Sequence, residues 1–325
     1  MDRRRFLTGA AAAGLGIAAQ TSARGQSYPS NVIRIVVPVP PSTPPDIISR
    51  IMANALSVGE GWRVIAENKA GAIMTIGGSE VLRQPADGHT LYAIDLPIVA
   101  APALLPNMPF KLDSDFVPVV KHSVSYNVLV VHPGVPARSV AELVEVLKKN
   151  PDKMTFSSGG FGTPAHLIGE MFKLEAGVRA THVPYQVFSQ AIADLLNGTN
   201  QYQFITTLPV VELIKAGRLR ALAVTAPKRV AALPDVPTVV EAGFPSLVAE
   251  NWGGFLVKAG TPPEIVTRLN GAFNKALATE SVRESLAKVG AEAAGGTSAE
   301  YGALIKSELA KWSKIVKDSG IKLPQ

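Results

Sequence analysis

Cysteine is missing from the whole 325-residue chain. That excludes disulfides, thiolate nucleophiles and cysteine-ligated metal sites. A metal would then need histidines and carboxylates converging from distant positions. The five histidines, His89, His122, His132, His166 and His182, form no HExxH pair or other close pair on one helix. The GxSxG pattern of serine hydrolases is also missing, and so is a GxGxxG after the first strand, which leaves nucleotide binding unsupported. Charged residues are scarce, at 18%. The net charge is +6, with no long basic cluster, so nucleic acid is not an expected partner. Beyond the N-terminus no segment reaches membrane-spanning length without charge or proline, so stable membrane insertion is not expected. No solenoid-type repeat is present. What remains is a chain with 47% hydrophobic residues, long enough for two domains with proper cores.

Residues 1–25 read as an export signal. MDRRRF is a positive n-region, LTGAAAAGLGIAA a short apolar h-region, and cleavage is expected after Ala23 or Gly25. Arg3-Arg4-Arg5-Phe6-Leu7 fits a twin-arginine signal, with a general secretory signal as the alternative. The mature protein is expected in the periplasm of a Gram-negative bacterium.

The mature chain is organised around Val32–Leu56. Ile33–Pro38 is an apolar strand candidate, and Pro40, Pro41, Pro44 and Pro45 break regular structure after it. A helical pattern then opens at Asp46, and Ser42 and Thr43 supply loop hydroxyls. Such a unit aims free N–H groups beyond the strand end, where an anion is the natural guest. A second unit of the same plan begins at Thr155–Ser158. Gly159, Gly160 and Gly162 let backbone approach a ligand, and Thr163 can cap a helix that starts at Pro164. No lysine follows these glycines, so this is not a phosphate-binding Walker loop.

Strands alternating with helices predict α/β sheets rich in parallel pairs. Two similar lobes facing one cleft fit the spacing of the two loops. The expected division is 28–125 plus 246–325 for the first lobe and 126–245 for the second. Trp62–Glu67 and Thr90–Ile94 read as strands, Thr238–Ala242 as a short helix, and Thr297 with Glu300 as a capping box on the last helix. Asp95 ends a strand, where open α/β sheets bind ligands, and equally well reads as a cap before Pro97. Ser158 and His166 make a conceivable hydrolase pair with no obvious orienting acid. The chain thus offers binding loops without a reaction centre.

Several tracts resemble the periplasmic solute-binding receptors of tripartite tricarboxylate transport systems, and the resemblance covers essentially the whole mature chain. SSGGFGTPAHLIGEMF followed by HVPYQ carries it most strongly, with LRALAVTAPKRVAALPDVPTVVEAGFP, WGGFLVKAGTPPEIVTRLN and DGHTLY in support. The resemblance implies a two-lobed Venus flytrap of type II kind with a mostly parallel sheet in each lobe. It implies no enzyme activity and no cofactor or metal. A monomer is expected, which takes a small organic carboxylate, aliphatic or aromatic, and passes it to membrane permease subunits. A ligand-sensing subunit for two-component signalling and a hydrolase using Ser158 and His166 are the alternatives. Carried over by position, the ligand contacts fall in the Pro41–Asp46 and Ser157–Thr163 loops. Ser42, Thr43, Asp46, Asp95, Ser157, Ser158, Gly160, Phe161, Thr163, His166, Tyr185 and Phe188 are the candidate residues. Asp46 is expected to order its loop or to meet a donor on the solute. The chain departs from the family pattern in these loops. PPSTPPD stands for PPGGxxD, Tyr185-Gln186-Val187 for YKG, and the Asn68–Ala72 turn lacks the usual arginine–proline and double glycine. A pocket with more apolar or aromatic wall follows from these changes.

Overall fold

The computed structural model describes residues 28–185 and 187–321. The expected export signal lies outside them. The first unit is β1 (Ile33–Val37), α1 (Pro44–Glu60), β2 (Val64–Asn68), α2 (Thr75–Leu82), β3 (Thr90–Asp95) and α3 (Pro97–Leu104). A long strand, β4 (Phe116–Val131), then leads to α4 (Val140–Lys149), β5 (Thr155–Ser158), α5 (Pro164–Ala176), β6 (Thr181–Pro184), α6 (Phe188–Leu196), β7 (Tyr202–Thr206), α7 (Val211–Lys215) and β8 (Arg220–Val224). The chain finishes with β9 (Glu250–Lys258), α8 (Pro263–Leu277), α9 (Glu280–Ala287), β10 (Glu292–Ala293) and α10 (Ser298–Ser319).

The strands make two sheets joined through β4. One runs β2-β1-β3-β9-β4, with β10 also on β4. The other contains β8, β4, β7, β5 and β6. Residues 116–126 of β4 pair with β9, and residues 127–131 pair with β7 and β8. The strand therefore passes from one sheet to the other between Tyr126 and Asn127. Each sheet is mixed rather than mostly parallel. The β1–β2, β1–β3, β5–β6 and β5–β7 pairs are parallel, and every pair that involves β4 or β9 is antiparallel. The physical reason is connectivity. Helical crossovers return the chain in the same direction, whereas β4 passes from one sheet to the other and β9 joins the first sheet between β3 and β4, each running against its neighbours.

Thr225 ties the crossing together. Its N–H donates to Asn127 O (2.8 Å) and its hydroxyl to Ala249 O (2.9 Å). The same hydroxyl accepts from Asn127 N–H (3.1 Å), and Thr225 O accepts from Ala249 N–H (3.1 Å). This set of bonds lies among fully buried atoms, so each is held without competition from water. The last helix adds a second tie. α10 packs on α3 and β4 and also on α5, burying Trp312 completely. Thr297 and Glu300 form the expected reciprocal capping box at its start.

Most expected elements are present, with two differences. Phe116–Lys121 and the later SYNVLVV tract fuse into the single strand β4, with Pro118 beside a register shift in the pairing with β9, a place where strands tolerate proline. The expected helix at Thr238–Ala242 is a turn. Thr238 and Glu241 exchange helix-start hydrogen bonds, but Gly243 at φ 85° ends the turn at once.

Candidate functional site

A cleft of about 420 Å³ opens between the two sheets. Its rim carries the β1–α1 loop, through Ser42 and Thr43, and the β5–α5 loop, through Gly159 and Thr163. The two loops match in detail. Each helix begins with a threonine in extended conformation followed by proline, and neither threonine makes a side-chain capping bond. Instead each hydroxyl donates three residues back, Thr43 to Pro40 O (2.8 Å) and Thr163 to Gly160 O (2.7 Å). The expected Thr163 cap is thus a loop tie. With their protons so used, these hydroxyls have only acceptor capacity left, and the unbonded donors near them are backbone N–H groups of the first helical turns. Pro44 and Pro45 remove two such donors from α1, so α5, with Ala165 and His166 in its first turn, offers more.

Asp46 is buried and lies outside the cleft lining. Its carboxylate accepts from Ser42 N–H (2.9 Å), Asn68 Nδ2 (2.8 Å) and Arg50 Nε. Burial works against its charge, but these hydrogen bonds outweigh burial and hold the carboxyl below the usual range. Its work is to order the first loop. The loop keeps a left-handed turn at Ser42, φ 65°, a conformation that glycine adopts more cheaply. A second left-handed run, Ala72, Ile73 and Met74, brings Met74 into the cleft wall. A Cβ at Gly162 would come 3.3 Å from Ile73 Cδ1, so this glycine leaves room for a side chain reaching over from the other sheet.

Behind the second loop lies a packed cluster. Ser158 Oγ is 2.7 Å from His182 Nε2, not paired with His166. His166 Nδ1 accepts from Gly162 N–H (3.1 Å), and its ring stacks on His182 at 4.1 Å between centroids. Phe161 meets both rings edge-on. Burial pushes His182 down to about 3, helped by His166 and Lys173, and His166 down to about 4. An imidazole of that acidity is neutral at pH 7 and only a weak general base for the serine beside it. Among the described residues no carboxylate orients His182 either, since its Nδ1 is buried without a partner there. The cluster buttresses the loop.

Of the twelve candidate residues, Ser42, Thr43, Asp95, Thr163 and Phe188 line the cleft. Asp46, Ser157, Ser158, Gly160, Phe161, His166 and Tyr185 do not. Tyr185 spends its hydroxyl on Asp194 (2.6 Å) and Asn200 (2.6 Å). Asp95 makes no capping bond to α3, and its Oδ1 is buried without a partner. Burial alone raises its carboxyl to about 7. The cleft also takes residues that sequence reasoning missed: His122, Ser123, Asn127, Gln203 and Asn251. The available signal was a polar residue inside an otherwise apolar strand, as in SYNVLVV and YQFIT. Burial pushes His122 down to about 3, so it is neutral, with Nδ1 2.9 Å from Ser123 Oγ. Among the described residues no lysine or arginine lines the cleft.

Two mixed sheets joined by crossing strands, with paired loop–helix units at a single cleft, define the fold of a periplasmic solute-binding protein. The profile described as "Tripartite tricarboxylate transporter family receptor" matches residues 48–321. Among curated relatives, a protein encoded in the tcbD–tcbE intergenic region of Pseudomonas sp. (strain P51) is 36% identical over 97% of this chain and 94% of its own length. Protein BugT of Bordetella pertussis is 34% identical over 99% of both chains. Among solved structures, R. palustris Rpa4515 with adipate is 32% identical, covers 91% of this chain and 99% of its own, and superposes with a TM-score of 0.79. The chain belongs to the tripartite tricarboxylate transporter receptor family. No helix among the described residues is long and apolar enough to cross a membrane.

Proposed function

We propose that this chain captures a small organic carboxylate between two lobes and delivers it to a tripartite tricarboxylate-type permease. The lobes are residues 28–125 with 246–325, and residues 126–245. The observation that carries the reading is the matched pair of loops, each ending in a threonine tie and an uncapped helix N-terminus at the same cleft. Helix ends of this kind hold an anion by N–H groups and dipole, without a cationic side chain. Related structures support it: Rpa4515 holds adipate, and MatC of Rhodopseudomonas palustris, 27% identical with a TM-score of 0.76, holds malate. Ser42, Thr43, Thr163 and Phe188 are the proposed contacts. Met74, Phe204 and Trp252 give the wall an apolar and aromatic character that suits an aromatic carboxylate.

A thermal-shift screen of the mature protein tests this. The panel holds aliphatic di- and tricarboxylates, acidic amino acids, benzoate, phthalate isomers and nicotinate. A bound carboxylate raises the melting temperature by mass action, by about 2.7 kcal/mol of added stability at a hundredfold excess over Kd. No shift with any carboxylate at millimolar concentration overturns the reading.

A further inference from the structure

The cleft holds a set of buried amides that neither the loops nor the fold uses. Gln203, on β7, is fully buried, and both Oε1 and Nε2 lack a hydrogen-bond partner. Asn127, on β4, is 1% exposed, and its Nδ2 lacks a partner. Asn251, on β9, donates Nδ2 to Asn127 Oδ1 (3.0 Å), which leaves its own Oδ1 buried and unpartnered. All three residues line the cleft. Asn127 and Asn251 together therefore keep one free donor and one free acceptor. Turning both amides over exchanges the roles and leaves the same sum. Gln203 adds another donor and another acceptor. Four orphaned amide atoms facing one cavity exceed what a folded core leaves unpaired without reason.

Strand register places a fourth group beside them. Asp95, Gly253 and Ser123 lie in one row across β3, β9 and β4, and Asn251 with Ser125 lies two residues further along the same face. Asp95 Oδ1 is buried and unpartnered. The Tyr92 and Tyr301 hydroxyls lie near enough to feel the charge of Asp95, the neutral His122 lines the same cleft, and among the described residues no lysine or arginine joins them in the lining.

We propose that Asn127, Asn251, Gln203 and Asp95 form a subsite that reads a neutral donor–acceptor group, of carboxamide type, on a ligand whose single carboxylate is held at the two loops. The proposal rests on the carboxylate reading above and narrows it to monoanions. An amide or hydroxyl answers free donors and free acceptors together. A second carboxylate answers only the donors, leaves Gln203 Oε1 and Asn251 Oδ1 unpaired, and meets Asp95 with no cation between them. The subsite also sits on Asn127 and Asn251, on the two strands that flank the crossing, so the ligand's far end touches the segments that join the sheets.

The test uses two matched series at pH 8, where Asp95 is ionised: hexanoate, adipate and adipamate, and benzoate, terephthalate and terephthalamate. Isothermal titration of the mature protein gives each Kd. In the series whose length fits, the monoamide is expected to bind at least tenfold more tightly than both the plain acid and the diacid. Gln203→Leu is expected to reduce that preference several-fold. The variant should melt no lower than the parent, because it removes an unpaired buried amide. A diacid that binds most tightly, or a monoamide no better than the plain acid in both series, overturns the subsite and assigns the amides to water. A preference unchanged by Gln203→Leu removes Gln203 from the proposed subsite and overturns it as stated. Failure of all six compounds and of the wider carboxylate panel overturns the carboxylate reading itself, and the subsite with it.

Discussion

Asp95→Asn isolates one buried carboxyl and gives a stability change whose sign depends on pH. In the folded protein burial raises this carboxyl to about 7, and no cation or donor offsets it. In the unfolded chain it titrates near 3.9. Between these values the native state holds a proton that the unfolded state has lost. Stability therefore falls as pH rises through the window from about 4 to about 7, and stays low above it. At 1.36 kcal/mol per unit the full cost approaches about 4 kcal/mol, and solvent reaching the part of the side chain beyond its buried Oδ1 reduces it to about 2 kcal/mol. Asparagine keeps the shape and carries no charge. Urea unfolding of both proteins from pH 4 to pH 8 measures the difference. The variant should match the parent near pH 4 and exceed it by about 2 kcal/mol at pH 8, with the divergence spread over the window. The groups whose carboxyls are held low, Asp46, Glu67, Glu241 and Glu300, contribute an opposite slope at lower pH, but equally in both proteins. Parallel curves across the window would refute the account of Asp95 as an unpartnered buried acid.

Thr225→Val removes the hydroxyl shared by Asn127 N–H and Ala249 O, leaving two buried backbone groups unpaired. It should cost about 2–4 kcal/mol in urea unfolding, and a loss below half that would mean the crossing is held elsewhere. Thr163→Val deletes the tie to Gly160 O while keeping the side-chain shape. Affinity for the best carboxylate of the screen should fall about fivefold, the worth of about 1 kcal/mol, as read by titration calorimetry at a temperature where melting curves show the variant fully folded. Gly254→Ala would place a Cβ 2.3 Å from the Tyr301 ring and 2.5 Å from Val120 O. The backbone oxygen cannot swing away, so a loss of about 1–3 kcal/mol is expected in the same unfolding assay.

The two loop–helix units were legible because their signals are local. Proline and glycine restrict the backbone wherever they stand, and a hydroxyl followed by proline marks a helix start without knowledge of the fold. The capping box at Thr297 and Glu300 was legible for the same reason. The sheets' mixed direction was not, since nothing within β4 shows that its two halves serve different sheets. The amide set was hidden by distance. Asn127 and Asn251 are 124 residues apart in sequence, and each alone is one polar residue in a strand. The pairing of Ser158 with His182 instead of His166 depends on β5 lying parallel to β6, with Phe156 opposite His182. A helix neighbour in sequence was the wrong guide there, because His166 points back to hold Gly162. Asp46 shows a subtler limit. Its position in the loop left loop ordering and a donor on the solute both open, and only the three donors around it show that its charge is used within the loop.

The most direct test of the central claim is a crystal structure of the mature protein with the tightest-binding carboxylate from the screen. The account predicts a carboxylate oxygen within about 3.2 Å of first-turn N–H groups of α5, beside Thr163, with the β1–α1 loop closing on its other side. A carboxylate bound outside this cleft, or held in it by a lysine or arginine with both helix ends unengaged, would contradict it.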